Sequence, residues 1–337
     1  MSKLAAAAFL ALGLAFPPPA SAQEGSTWVP LGLPDDVGSV GVAVVDTLLA
    51  YRPADVGGFA RSTDGGRTWA DASEGLPRSS ADPSRPAEGR LERVTASPAG
   101  PVAWAALYGG GAARSTDAGR TWIAASAGLP VVDSRPAVLG GIASAGPAIL
   151  AAANGLGVYR STDLGVTWAD FSDGLPLGPD DPNNLYVYYD VLGVDGSLYT
   201  AGTGVWRRGP EDAEWSLLDF GDSFGPFTTL RVEAVQVGGA SVLLAMLLAP
   251  DPSVGQVPFY RSTDSGDTWE PASDGLDLEG EDRVRYGFAL SVVGSTVYAG
   301  TYGGAGLYRS DDGQTWTADA DGTPLRSRAR RPSTSEA

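Results

Sequence analysis

One ten-residue phrase recurs along this chain, and it limits the possible architecture more than any other feature. "YRSTDLGVTW" occupies residues 159–168, and close copies end at Trp69, Trp122, Trp269 and Trp316. Four copies carry the full Ser-x-Asp-x-Gly-x-Thr-Trp pattern: Ser62/Asp64/Gly66/Trp69, Ser115/Asp117/Gly119/Trp122, Ser161/Asp163/Gly165/Trp168 and Ser262/Asp264/Gly266/Trp269. A fifth, Ser310/Asp312/Gly313/Trp316, is one residue shorter. Trp28 and Trp215 keep the phase without the phrase, so successive tryptophans lie 41 to 54 residues apart. In a strand-rich chain, a period of that length corresponds to one four-stranded unit per repeat.

The text between tryptophans supports this reading. After each Trp a short segment closes in a turn, as in "WADASEGLP", "WIAASAGLP", "WADFSDGLP" and "WEPASDGLD". Two apolar runs follow, "AVLGGIAS" and "AILAAA" in the third unit, and another run, "GVYRS", leads into the next phrase. Short apolar runs bounded by glycine and proline are strand signals. The expected fold is all-β, a β-propeller of four-stranded blades. The complete units number six; a seven-bladed ring is the alternative, with "WVPLGLP" at 28–34 as the additional outer strand.

The phrase itself suits a hairpin turn between the third and fourth strands. Asp and Ser side chains bond backbone N–H groups inside turns, and Gly takes positive φ without steric cost. Ser-x-Asp-x-Gly-x-Thr-Trp is the pattern of the Asp-box, or BNR repeat, and the chain resembles the β-propeller superfamily that carries it. That resemblance implies structural boxes at the blade edge, with function elsewhere. The superfamily includes sialidases, xyloglucan-cleaving glycosidases, photosynthetic-assembly factors and sortilin-type ectodomains. The Arg-Ile-Pro motif of sialidases is missing here, and no position carries over as a sialidase nucleophile or acid.

The chain begins "MSKLAAAAFLALGLAFPPPASAQEG". One cation, a 13-residue apolar run from Leu4 to Phe16 and the Ala20-Ser21-Ala22 triplet form a signal-peptide pattern. Cleavage is expected between Ala22 and Gln23, leaving a secreted or periplasmic protein. The expected organisation is a signal peptide over 1–22, one propeller domain over 23–322 and a disordered Arg-rich tail over 323–337. No later run is long and apolar enough for a membrane span.

The net charge of −17 disfavours nucleic acid as a partner. Cys and His are both absent. This removes thiol chemistry, the Ser-His-Asp relay and the commonest metal ligand. No cofactor or metal is expected, and a monomer is.

Candidate ligand contacts come from geometry. If the phrase joins strands three and four on one face, links between strands two and three, and between blades, share the other. Arg93, Arg231 and Arg283 each precede a Val at the start of an inner strand, and Arg285 follows closely. Converging there, they would form an anion clamp, with Glu233, Tyr189 and Tyr286 beside them. The expected function is a module binding a protein or glycan through this loop face. The alternatives are a glycoside hydrolase, sialidase-like or polysaccharide-cleaving, and a cell-envelope assembly or structural factor.

Overall fold

The computed structural model describes residues 39–44, 47–51, 56–79, 82–87, 89–95, 100–107, 110–176, 188–220, 228–248, 250, 256–278, 284, 286–302 and 306–319. The expected leader, Trp28 and the Arg-rich tail lie outside them. Every regular element among the described residues is a strand. They form six antiparallel four-stranded sheets, each built from four consecutive strands, and one small two-stranded hairpin. Blade 3 is typical: Leu139–Ala145 inside, then Ala148–Ala153, Gly157–Ser161 and the two-residue outer strand Ala169–Asp170. The other inner strands are Ser39–Val44, Gly89–Thr95, Tyr188–Val194, Thr228–Val237 and Tyr286–Val293. Each packs beside the inner strand of the next blade, in chain order.

The hydrophobic cores lie between blades. Trp104 of blade 2 packs with Ile142, Ile149 and Trp168 of blade 3, and Leu244 of blade 5 packs with Val297 and Trp316 of blade 6. A sheet sandwiched between two others has both faces covered. This is why the second strands Val102–Leu107 and Ala148–Ala153 are buried at every position and read as unbroken apolar runs. Alanine dominates them because facing sheets must approach closely.

The recurring tryptophan fastens one blade to the one before it. Trp122, Trp168 and Trp316 donate their indole N–H groups to Ala72, Ala125 and Ala272 carbonyls at 2.6–2.8 Å. Trp215 does the same to Phe171 at 2.7 Å. The backbone N–H groups of the four donate to Glu74, Ala127, Asp274 and Asp173 in the same preceding blades. Both acceptors belong to the segment after the previous Trp, which explains why the "GLP" turn recurs with the indole.

The boxed turns repeat one hydrogen-bond set. In blade 3, Ser161 Oγ donates to Asp163 Oδ1 and accepts from Gly165 N at 2.7 Å. Asp163 accepts from Thr167 N at 2.8 Å and Thr167 Oγ1 at 2.6 Å. The buried serine hydroxyl is therefore satisfied on both sides. Gly66 N, Gly119 N and Gly266 N donate to Ser62, Ser115 and Ser262 at 2.8 Å in the same way. In the shortened fifth box, Gly313 N reaches Ser310 Oγ at 2.9 Å from only three residues away.

The box glycines do more than the turn requires. Gly66, Gly119, Gly165, Gly266 and Gly313 do take positive φ, between 71° and 93°, but turn geometry is only part of their role. All five are buried. A Cβ on Gly119, Gly165, Gly266 or Gly313 would lie 2.3–2.9 Å from Leu49, Trp104, Leu218 or Leu244, each in the preceding blade. Steric freedom at the turn is therefore not the whole reason for glycine: at these four positions the neighbouring blade fills the space a side chain would need.

The Thr hydroxyl, the Thr backbone N–H and the Ser hydroxyl together hold the carboxyls of Asp64 and Asp163 down to about 2, from 3.8. Asp264 is lowered to about 2 by the same donors, led by the Thr268 hydroxyl. These depressed values set an acid limit. The folded pKa lies below the unfolded one, so the stabilisation is fully present above about pH 4 and is lost as pH falls toward 2. Chemical denaturation between pH 5 and pH 2 is expected to show stability falling across that window. Asp163→Asn should flatten part of the slope; an unchanged slope would mean that the box carboxylates do not drive it.

Candidate functional site

Antiparallel order places the links between strands one and two on the same face as the boxes. The opposite face collects the links between strands two and three and between blades. The buried box glycines Gly66, Gly119, Gly165, Gly266 and Gly313 thus lie away from the loop face and take no part in a site there. This loop face also receives the N-terminal ends of the inner strands, where a second regularity appears. Every inner strand shifts register there, between Val40 and Val42, Leu91 and Val94, Leu139 and Gly141, Tyr188 and Asp190, Thr229 and Arg231, and Gly287 and Ala289. Bulges bend a strand and re-aim side chains, and they concentrate at rims and active sites.

Several residues expected at a site fall on these bulges. Tyr189 is the bulged residue of blade 4, Arg93 lies in the bulge of blade 2, and Arg231 borders that of blade 5. Tyr286 opens the inner strand of blade 6, opposite Tyr302. The side chains of Arg93 and Tyr286, and all of Arg283 and Arg285, lie outside the described residues. Arg231 and Glu233 are two apart on one strand and share a face.

Asp190 joins three blades at this level. Its side chain is 1% exposed, and Arg231 Nη1 lies 3.7 Å from Oδ1. Val232 N of blade 5 donates to Oδ2 at 3.2 Å. On the other side, a Cβ on Gly141 of blade 3 would lie 3.0 Å from Asp190 Oδ1, so a bare backbone lets the carboxylate sit there. Arg231, 28% exposed, thus directs part of its charge to a buried carboxylate inside the protein.

The loop face carries a second feature that sequence reasoning missed. The link from blade 2 to blade 3 folds into a hairpin of Val131–Val132 and Arg135–Pro136. Its two-residue turn, Asp133 and Ser134, has φ of 49° and 65°, the type I′ geometry that usually demands Asn or Gly. The turn presents Val131 and Val132 at 66% and 47% exposure. Val138, Leu248 and Tyr302 are further exposed apolar residues at loop-face ends of strands. The only clue in the sequence is "VVDSRP", which lacks the glycine that normally marks such a turn.

Solved structures share the fold. The chain is a six-bladed β-propeller. A xyloglucanase of glycoside hydrolase family 74 from Xanthomonas campestris superposes with TM-score 0.56 at 19% identity, over 85% of this chain and 46% of that one. PorZ, a surface component of the type-IX secretion system of Porphyromonas gingivalis, gives 0.55 at 10%, over 83% and 39%. YCF48 bound to D1 peptide gives 0.51 at 18%, over 84% and 83%. The propeller thus spans about half the length of the xyloglucanase, and at such identities the likeness shows the fold alone. No protein-family model and no curated protein matches the sequence.

Blade 4 breaks the propeller's own rules. Its third strand, Gly204–Arg208, runs into "GPEDAEW" where other blades have a box. The following clasp is missing too. Trp269 stacks on Phe220 at a centroid distance of 4.5 Å and 10° between planes, and its indole N–H is buried without a hydrogen-bond partner. The ion pair of Asp190 and Arg231 spans this same boundary between blades 4 and 5. No helix among the described residues is long and apolar enough to cross a membrane.

Proposed function

We propose that the chain is an exported Asp-box propeller that binds a protein or glycan through its loop face. The observation that carries this reading is the projecting hairpin with Val131 and Val132 exposed. Exposed valines on a hairpin whose turn holds two non-glycine residues at positive φ offer an apolar contact to a partner. The bulged strand ends on this face add polar contacts from Tyr189 and Arg231, with Arg93, Arg283, Arg285 and Tyr286 as further candidates; the expected contact Glu233 is buried and is not offered to a ligand. The N-terminal signal pattern, residues 1–22, supports export of a single domain over 23–322.

The likeness to a xyloglucanase keeps glycoside hydrolysis as a second reading, but Asp190 is tied to Val232 and Arg231 and serves the packing of three blades. Glycan-array profiling and partner capture with the exported protein test the proposal. A ligand is expected whose binding falls at least about tenfold in a Val131→Asp/Val132→Asp variant, by analogy with buried interface anchors. Binding that survives this double change would overturn the hairpin's role. Turnover of a polysaccharide, abolished by one carboxylate substitution, would establish the hydrolase instead.

A further inference from the structure

In four blades an arginine of the third strand reaches across to the box turn of the next blade. Arg61 Nε donates to Ala118 O at 3.0 Å, Arg114 Nη1 to Leu164 O, Arg207 Nη1 to Ser265 O at 2.8 Å, and Arg261 Nη1 to Asp312 O at 3.3 Å. Arg309 of blade 6 makes no such bond among the described residues, and neither does Arg160 of blade 3. The neighbour of blade 3 is the boxless blade 4, and among the described residues the Arg160 guanidinium has no hydrogen-bond or ion-pair partner; it lies 5.3 Å from the Phe171 ring centroid.

Arg208 makes the vacancy a site. By strand register it occupies the place of the box serine: it pairs with Leu198 as Ser161 pairs with Ile149. Its guanidinium carbon stands 3.9 Å from the Phe171 centroid. Nε donates to Asp212 O at 3.2 Å, while Nη1 is buried with no partner. The Asp212 carboxylate accepts from Gly209 N at 2.8 Å and forms no ion pair with either arginine. The two guanidiniums border a cavity of about 290 Å³ on the turn face between blades 3 and 4. Phe171, Leu150 and Leu198 supply its apolar wall.

Arg160 is exposed at the edge of this cavity, and its planar fork is shaped to take a carboxylate. The net charge of −17 makes this local pair of unpaired cations stand out further. We propose that the cavity binds a small organic carboxylate. Its oxygens bridge Arg160 and Arg208, and its body rests on Phe171, Leu150 and Leu198. The volume suits one ring or a short chain. This site lies on the face opposite the hairpin, so it stands or falls independently of the loop-face reading.

Calorimetric titration of the full chain decides it. The probes are benzoate and glucuronate, the neutral benzamide and glucose, and inorganic sulfate. At least one carboxylate is expected to bind, its neutral counterpart not, and sulfate at least about tenfold more weakly than that carboxylate because it lacks a body. Arg208→Gln and Arg160→Gln should each weaken the carboxylate about tenfold or more, the worth of a charge-assisted hydrogen bond. Arg160 is exposed, so its variant keeps the fold even if Arg208→Gln does not. Absence of carboxylate binding, equal binding of sulfate, or affinity unchanged in Arg160→Gln would overturn the proposal.

Discussion

Trp168→Ala is expected to lower the unfolding free energy by about 3–5 kcal/mol, the usual cost of deleting a buried Trp. The indole is 5% exposed and packs edge-on against Trp104 with centroids 6.1 Å apart. Removing it opens a cavity between blades 2 and 3 and leaves the Ala125 carbonyl without its donor. Against a typical domain stability of about 5–15 kcal/mol, that is a large fraction. A sharper comparison uses Trp→Phe, which keeps an aromatic ring. At position 168 it strands a carbonyl, costing about 1–3 kcal/mol. At position 269 it removes an indole N–H that has no partner, so the loss should be smaller. Equilibrium denaturation of the two Phe variants checks this; equal losses would show that the indole hydrogen bond is not what fastens the blades.

Gly128→Ala is expected to cost about 3 kcal/mol although it adds one methyl group. The residue sits at φ +89°, and a Cβ would lie 2.1 Å from the Trp168 carbonyl oxygen. The left-handed backbone alone costs an L-residue about 1–2 kcal/mol. The clash adds to this, because it pushes away the strand whose Trp168 N–H bonds Ala127 at 2.9 Å. Gly146→Ala is the control. Its φ is +59°, nothing lies within 4 Å of a Cβ there, and only the backbone term of about 1 kcal/mol should appear. Thermal or denaturant unfolding of the pair separates conformational strain from inter-blade contact, and a similar loss in both would remove the clasp from the account.

Much of this was readable in advance, and for a local reason. The box is a contiguous segment whose Ser, Asp, Gly and Thr satisfy one another, so its few letters specify the turn. The short apolar runs bounded by glycine and proline marked the strands, though not that both faces of the second strands are covered. The tryptophan period marked the blades, six of which the described residues contain. The clasp was only half visible: "GLP" and Trp both recur, but nothing in their spacing says that one blade's turn accepts from the next blade's indole. The same holds for the box glycine, whose turn is local but whose contact with Leu49 or Trp104 is not.

The candidate site was far less legible. Arg231 stood out as a candidate anion contact by its place before Val232, yet the folded chain sets it against the buried carboxylate of Asp190. The valine hairpin hides in a stretch without turn glycines. The loss of the box in blade 4 was plain in "VWRRGPEDAEW", but its effect on Arg160, one repeat earlier in the chain, was not.

The amino-acid order alone established the repeat, the strand class and the chemistry excluded by having neither Cys nor His, because each of these rests on composition or on contacts within a few residues. Only packing of one blade against the next decided which arginines find an acceptor and which do not. That outcome depends on carbonyls and carboxylates supplied by a different repeat, and no local pattern encodes which partner a neighbouring blade has lost.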